Sequence, residues 1–155
     1  MANLDLSDFY YGAVLSQLIN NKFSPALIES DKNRRIYNFA IDGSGDFALL
    51  LKYRSARPRK TKGYSSWQFN LTDSDLNKIN GYLTSRKDIR LCLILLTDSL
   101  SNSKYAILYK DDIRRLLDLS LTSFTISFKK SENYYRISKN HDREGGFKVE
   151  CNRDF

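Results

Sequence analysis

Between Arg34 and Lys62 the chain writes a β-hairpin followed by a run of bare positive charge. The arms, Arg34 to Asp42 and Asp46 to Tyr53, are rich in apolar residues. Gly43-Ser44-Gly45 between them supplies glycines that reach positive φ without a Cβ penalty. Lys52, Arg54, Arg57, Arg59, Lys60 and Lys62 then follow with no acid among them. Such a segment commits the chain to a sheet built around a hairpin with a charged exit. Net charge is +7 at pH 7, and those cations carry most of it, so the positive potential is local. Localised cations draw in phosphate backbones, whereas a spread excess mainly affects solubility. A solvated loop is the plainer reading of the same run.

At 155 residues the chain has the length of one domain, 1–155, with a polar C-terminal extension expected from about residue 130. A hydrophobic share of 41% and an aromatic share of 13% argue against intrinsic disorder. The longest apolar run, Leu91 to Leu96, is far short of a membrane span. The N-terminus lacks a basic stretch followed by an apolar signal core, so a cytoplasmic protein with no membrane partner is expected. Cys92 and Cys151 make no disulfide framework, and Cys92 sits in the apolar run LCLILL as a small core residue would. With His141 the one histidine, zinc constellations and Cys-His or Ser-His-Asp chemistry find no support. His141, Asp142 and Glu144 read as a polar turn. Gly43-x-Gly45 leads into a strand and opens no helix, which excludes a phosphate-cradling loop of that type.

Spacing predicts an amphipathic helix over Asp8 to Asn21, with Tyr10, Ala13, Val14, Gln17 and Leu18 on its inner side, Ser7 as cap and Pro25 as stop. Short strands follow at Ala26 to Ser30, Arg34 to Asp42 and Asp46 to Tyr53. Centring the hairpin on Ser44 sets Leu50 opposite Asn38, Lys52 opposite Ile36, and Asp42 opposite Asp46. Trp67-Gln68-Phe69 forms a docking edge, and Thr72 with Asp75 resembles a capping box for a helix over Asp73 to Thr84. Arg90 to Leu96 suits a strand buried on both faces. Tyr105 to Tyr109 reads as a strand and Lys110 to Leu119 as a short helix. Ser123 to Lys129 alternates as a half-buried strand at a sheet edge, and Tyr134 to Ile137 with Phe147 to Glu150 makes a late hairpin across Gly145-Gly146.

The order helix, three strands, helix, strand, with a lysine-bearing third strand Leu50-Leu51-Lys52, resembles the core of the PD-(D/E)xK phosphodiesterase superfamily from about Ser7 to Leu96. The resemblance implies an α/β fold with a mixed central β-sheet flanked by helices, in the order αβββαβ with further β elements, a restriction endonuclease-like core. It also implies a hairpin aspartate and an acid-x-lysine that hold Mg²⁺ for phosphodiester hydrolysis. Lys52 matches the lysine, while Leu50 stands where the acid would be and Asn38 where the aspartate would be. Leucine offers no oxygen to a hard cation, and an amide cannot neutralise one.

Three readings follow. In the first, the chain is a catalytically degenerate nucleic-acid-binding domain, DNA ahead of RNA. Lys52, Arg54, Arg57, Arg59, Lys60 and Lys62 then meet phosphates, and Tyr64 and Trp67 stack on bases. The second is a Mg²⁺-dependent nuclease with relocated ligands, using Lys52 and Asp42 in catalysis and Asp42, Asp46 and Glu29 as metal ligands. The third is a protein-interaction component of a phage, defence or mobile-element system, homodimer included, with Tyr10-Tyr11 and Tyr134-Tyr135 as contact candidates.

Overall fold

The computed structural model describes residues 3, 5–20, 24–30, 34–41, 45–58, 63–139 and 142–153. Their order is α1 (Leu6–Asn20), β1 (Ser24–Ser30), β2 (Arg35–Ile41), β3 (Gly45–Ser55), β4 (Tyr64–Asn70), α2 (Asp73–Thr84), β5 (Asp88–Leu96), β6 (Lys104–Leu108), α3 (Lys110–Asp118), β7 (Ser123–Lys129), β8 (Tyr134–Lys139) and β9 (Asp142–Glu150). The class is mixed α/β, with two sheets. One has five strands in the order β1-β2-β3-β5-β6, and the other has four in the order β4-β7-β8-β9. β3 and β5 run parallel, and every other pair is antiparallel.

β5 explains why the sheet is covered on both sides. Its unbroken apolar run gives each face a buried row: Ile89, Leu91, Leu93 and Leu95 enter one core, and Cys92, Ile94 and Leu96 the other. α1 closes the second core with Tyr11, Val14 and Leu18 against Phe47, Leu49 and Leu51 of β3. The first core lies between the two sheets and takes in Ile79 of α2, Ile113 and Leu116 of α3, and Trp67, Phe69, Phe124, Ile126, Tyr135, Ile137 and Val149 of the four-stranded sheet. Burial of this kind contributes roughly 25 cal/mol per Å² of apolar surface, which makes the shared core the principal bond between the sheets.

Several sequence expectations shift. α1 starts at Leu6, where the Asp5 N–H donates to the Asp8 carboxylate at 2.9 Å, so Ser7 lies inside the helix and is not its cap. Its inner face adds Tyr11 to Val14 and Leu18, with Tyr10 half-buried against the same core, while Ala13 and Gln17 are exposed. Pro25 belongs to β1, which is an edge strand, where the missing N–H does least harm. The Thr72–Asp75 capping box forms as expected: the Asp75 N–H donates to Thr72 Oγ1 and the Thr72 N–H to Asp75 Oδ2. β7 is an interior strand and not an edge, so Thr125 and Ser127 are buried along with the apolar face, shaded by strands on both sides.

The segment after residue 130 is not an appended tail. β8 and β9 complete the four-stranded sheet and deliver Tyr135, Ile137, Phe147 and Val149 to the core. β9 already begins at Asp142, so Gly145 and Gly146 lie within the strand and not in a turn. The service of Gly146 is close approach: a Cβ there would meet the Ile137 carbonyl oxygen at 2.2 Å. No helix among the described residues is long and apolar enough to cross a membrane.

Candidate nucleic-acid interface

The hairpin register differs by two residues from the sequence expectation. Ile41 pairs with Gly45, which brings Ile36 opposite Leu50 and Asn38 opposite Ala48. Gly45 thus belongs to β3, and the centre moves one position towards the N-terminus. Faces are preserved by such a shift because both partners move by an even number of residues. Asp46 accordingly pairs with Ala40 and not with Asp42.

β3 outlasts its partner β2. The β2 ladder ends at Arg35 opposite Leu51, whereas the β5 ladder continues to Ser55 opposite Leu96. Residues 52 to 55 therefore keep one open edge. β4 brings an open edge of its own, since β7 pairs with it on one side and no strand among the described residues on the other. Alternate carbonyls of a strand point to the same edge, and three of them on β4 are met by the exit of β3. Lys52 Nζ donates to Asn70 O at 3.0 Å, Arg54 Nε to Gln68 O at 2.9 Å, and the Arg57 N–H to Ser66 O at 2.9 Å. Side chains and one backbone amide thus close an edge that another strand would otherwise close.

Beneath this seam lies a buried ion cluster. Asp75 is fully buried and accepts from Arg34 Nη1 at 2.9 Å and from Lys52 Nζ at 2.5 Å. Arg34 Nη2 also donates to Ser74 Oγ at 2.8 Å. Burial alone would push the Asp75 carboxyl up. The Lys52 ammonium, the Thr72 N–H and Arg34 outweigh it and hold the group below its ordinary range. The cluster ties the first turn of α2 to the exit of β3 and to the residue before β2. Sequence reasoning saw Asp75 as a capping residue and missed its second role, because its ion partners Arg34 and Lys52 lie on distant segments that no local spacing signals.

Between the two strand ends opens a cleft of about 490 Å³, lined by Lys52, Arg54, Arg57, Gln68, Asn70 and Thr72 among others. Its described lining holds three cations and no acid. Arg54 and Arg57 are exposed, whereas Lys52 is 8% exposed and borders the cleft from its floor. Among the described residues, two of the three ammonium N–H groups of Lys52 have partners, Asn70 O and Asp75.

The remaining sequence candidates divide. Tyr64 is half-buried at the start of β4. Trp67 is 2% exposed, and its indole N–H donates to Leu96 O at 2.9 Å, so its ring fills the core and is not a stacking surface. Arg59, Lys60, Lys62 and Asp42 lie outside the described residues, as does His141. Glu29 and Asp46 are described by backbone alone: Glu29 pairs with Ile36, and Asp46 lies six residues before Lys52, about 20 Å along an extended strand. The tyrosine pairs split between faces, with Tyr11 and Tyr135 buried, and Tyr10 and Tyr134 half-buried.

Among the described residues, those around Lys52 do not fit a divalent metal. Leu50 is 1% exposed and packs in the core between the sheets with Ile36, on the same side of β3 as Lys52. The described carboxylate at Lys52, that of Asp75, already balances two cations and caps a helix. Asn38, named from the expected register, pairs with Ala48. No protein-family model matches the chain, and no curated protein or solved structure matches it either.

Proposed function

We propose that this chain is a nucleic-acid-binding domain with a restriction endonuclease-like core and a catalytically degenerate site. The observation that carries the reading is the cleft at the β3–β4 seam, lined by Lys52, Arg54 and Arg57, where Asp75 beneath it pairs with Lys52 and no acid stands among the described lining residues to oppose the two exposed arginines. Clustered cations in a concave site concentrate the potential that phosphate backbones follow. The fold part is supported by element order: two antiparallel pairs, then a parallel β3–β5 pair reached through α2. β4 is an addition to that order. Degeneracy is supported by the aliphatic Leu50 and by the use of Lys52 in an ion cluster with Asp75.

The test is retention of labelled single- and double-stranded DNA and RNA on gels, across salt, with Mg²⁺ and with chelator. Salt-sensitive retention that chelator leaves unchanged, with intact substrate throughout, is the expected result. The slope of log affinity against log salt should fall by about one unit for each cation removed from the cleft. Chelator-sensitive cleavage would sink the degenerate reading in favour of a Mg²⁺-dependent nuclease.

A protein-contact reading has one observation of its own. α1 leaves Leu6, Phe9 and Ile19 exposed at 68%, 57% and 52%, among polar neighbours such as Ser16, Gln17 and Asn20. If no nucleic acid is retained at low salt, protein contact through these exposed apolar side chains becomes the better account.

A further inference from the structure

We infer that the β3–β4 cleft receives the terminal phosphate of a single strand, a phosphomonoester, in preference to an internal phosphodiester; this rests on the nucleic-acid reading above. Charge is the first argument. A phosphomonoester carries about −1.5 to −2 at neutral pH, against −1 for a diester. Arg54 and Arg57, exposed and with no acid among the described lining residues, match the dianion better, while the charge of Lys52 is already shared with Asp75. Charge-assisted hydrogen bonds to ionised oxygens are roughly twice as strong as neutral ones, so the second charge is felt directly.

Shape is the second argument. About 490 Å³ falls in the lower part of the range, roughly 300–1,000 Å³, of clefts that hold one small ligand. A strand end fits such a space, and a continuous duplex lies across its mouth. The third argument concerns donors. Lys52 is held on the floor by Asp75 and Asn70 O with one N–H unassigned among the described residues, so its position is fixed before any ligand arrives. Arg54 is similarly steered: its Nε is anchored on Gln68 O while the side chain stays exposed. Guanidinium groups present paired N–H donors that match phosphate oxygens. Anchored donors lose less freedom on binding than mobile ones.

The experiment uses the full chain and one single-stranded sequence, as DNA and as RNA, labelled at one end. The other end carries a 5′-phosphate, a 3′-phosphate or a hydroxyl. Binding about tenfold tighter to a phosphorylated end is expected, and the preference should shrink as pH falls through about 6, where the second phosphate charge is lost. Arg57→Ala and Arg54→Ala, each checked for folding by circular dichroism, should remove most of it. Equal affinity for phosphate and hydroxyl ends would overturn the inference and leave the nucleic-acid reading standing. Absence of binding to every oligonucleotide would overturn both. Displacement by a nucleoside monophosphate at the same concentration would reassign the cleft to free nucleotides. An undiminished preference in both arginine variants would place the phosphate site elsewhere.

Discussion

The two halves of β3 differ in what they do with the same extended backbone. From Phe47 to Leu51 the strand has a partner on each edge and a core on each face, and all five of these residues are buried. From Lys52 to Ser55 it keeps β5 alone, and its other edge meets β4 through side chains. The first half is scaffold because nothing polar can enter it; the second is a candidate site because its long polar side chains replace a missing strand. A family-type acid at position 50 would fall on the wrong side of that divide.

The largest expected effect tests this directly. Leu50→Glu would restore acid-x-lysine in the sequence, yet it places a carboxylate in the core between the sheets. Loss of more than about 4 kcal/mol of stability, or failure to fold, is expected in urea titration, with no gain of Mg²⁺-dependent cleavage. A stable, cleaving variant would erase the distinction between the halves.

Asp75→Ala comes next, with about 3–5 kcal/mol lost because Lys52 and Arg34 stay buried without their shared carboxylate. Calorimetry on both variants would rank them. The pH dependence sharpens the same point. Since Asp75 is held below its ordinary value, its contribution is complete above about pH 4 and is lost as pH falls through the lowered folded value. Thermal melts of the unsubstituted chain should therefore drop below pH 4 more steeply than those of Asp75→Asn.

The smallest effect on stability belongs to the exposed end. Arg57→Ala should change unfolding by no more than about 0.5 kcal/mol, measured by denaturant titration. Its signature is instead the reduced salt slope in nucleic-acid retention.

Much of the local structure was legible. α2 with its box at Thr72 and Asp75, the doubly buried β5 and the alternating β7 follow from period and cap chemistry, which are properties of neighbouring residues. What escaped depends on distant partners. The β2–β3 register differs by two residues, a shift that keeps every side chain on its face and so leaves no trace in the alternation. The Lys52–Asp75 pair joins residues on different elements, and neither residue's neighbours announce it. Trp67 sits beside polar residues in a short strand, so its burial became evident only with β7 and Leu96 in place. The polar face of β7 was read as solvent-facing because alternation records side-chain direction and not the flanking strands that shade it.

The parallel β3–β5 pair also has a consequence for the order of folding. A meander of β1, β2 and β3 can assemble from near neighbours, but its next strand arrives only after β4 and α2 have been traversed. Loop closure must precede the contacts that reward it, which slows such pairings. Until β5 inserts, Leu49 and Leu51 on one side and Leu50 on the other have no central strand to pack beside. A chain truncated before Asp88 keeps α1 for the face of Leu49 and Leu51 but loses the core around Ile36 and Leu50, and such exposed apolar surface favours aggregation.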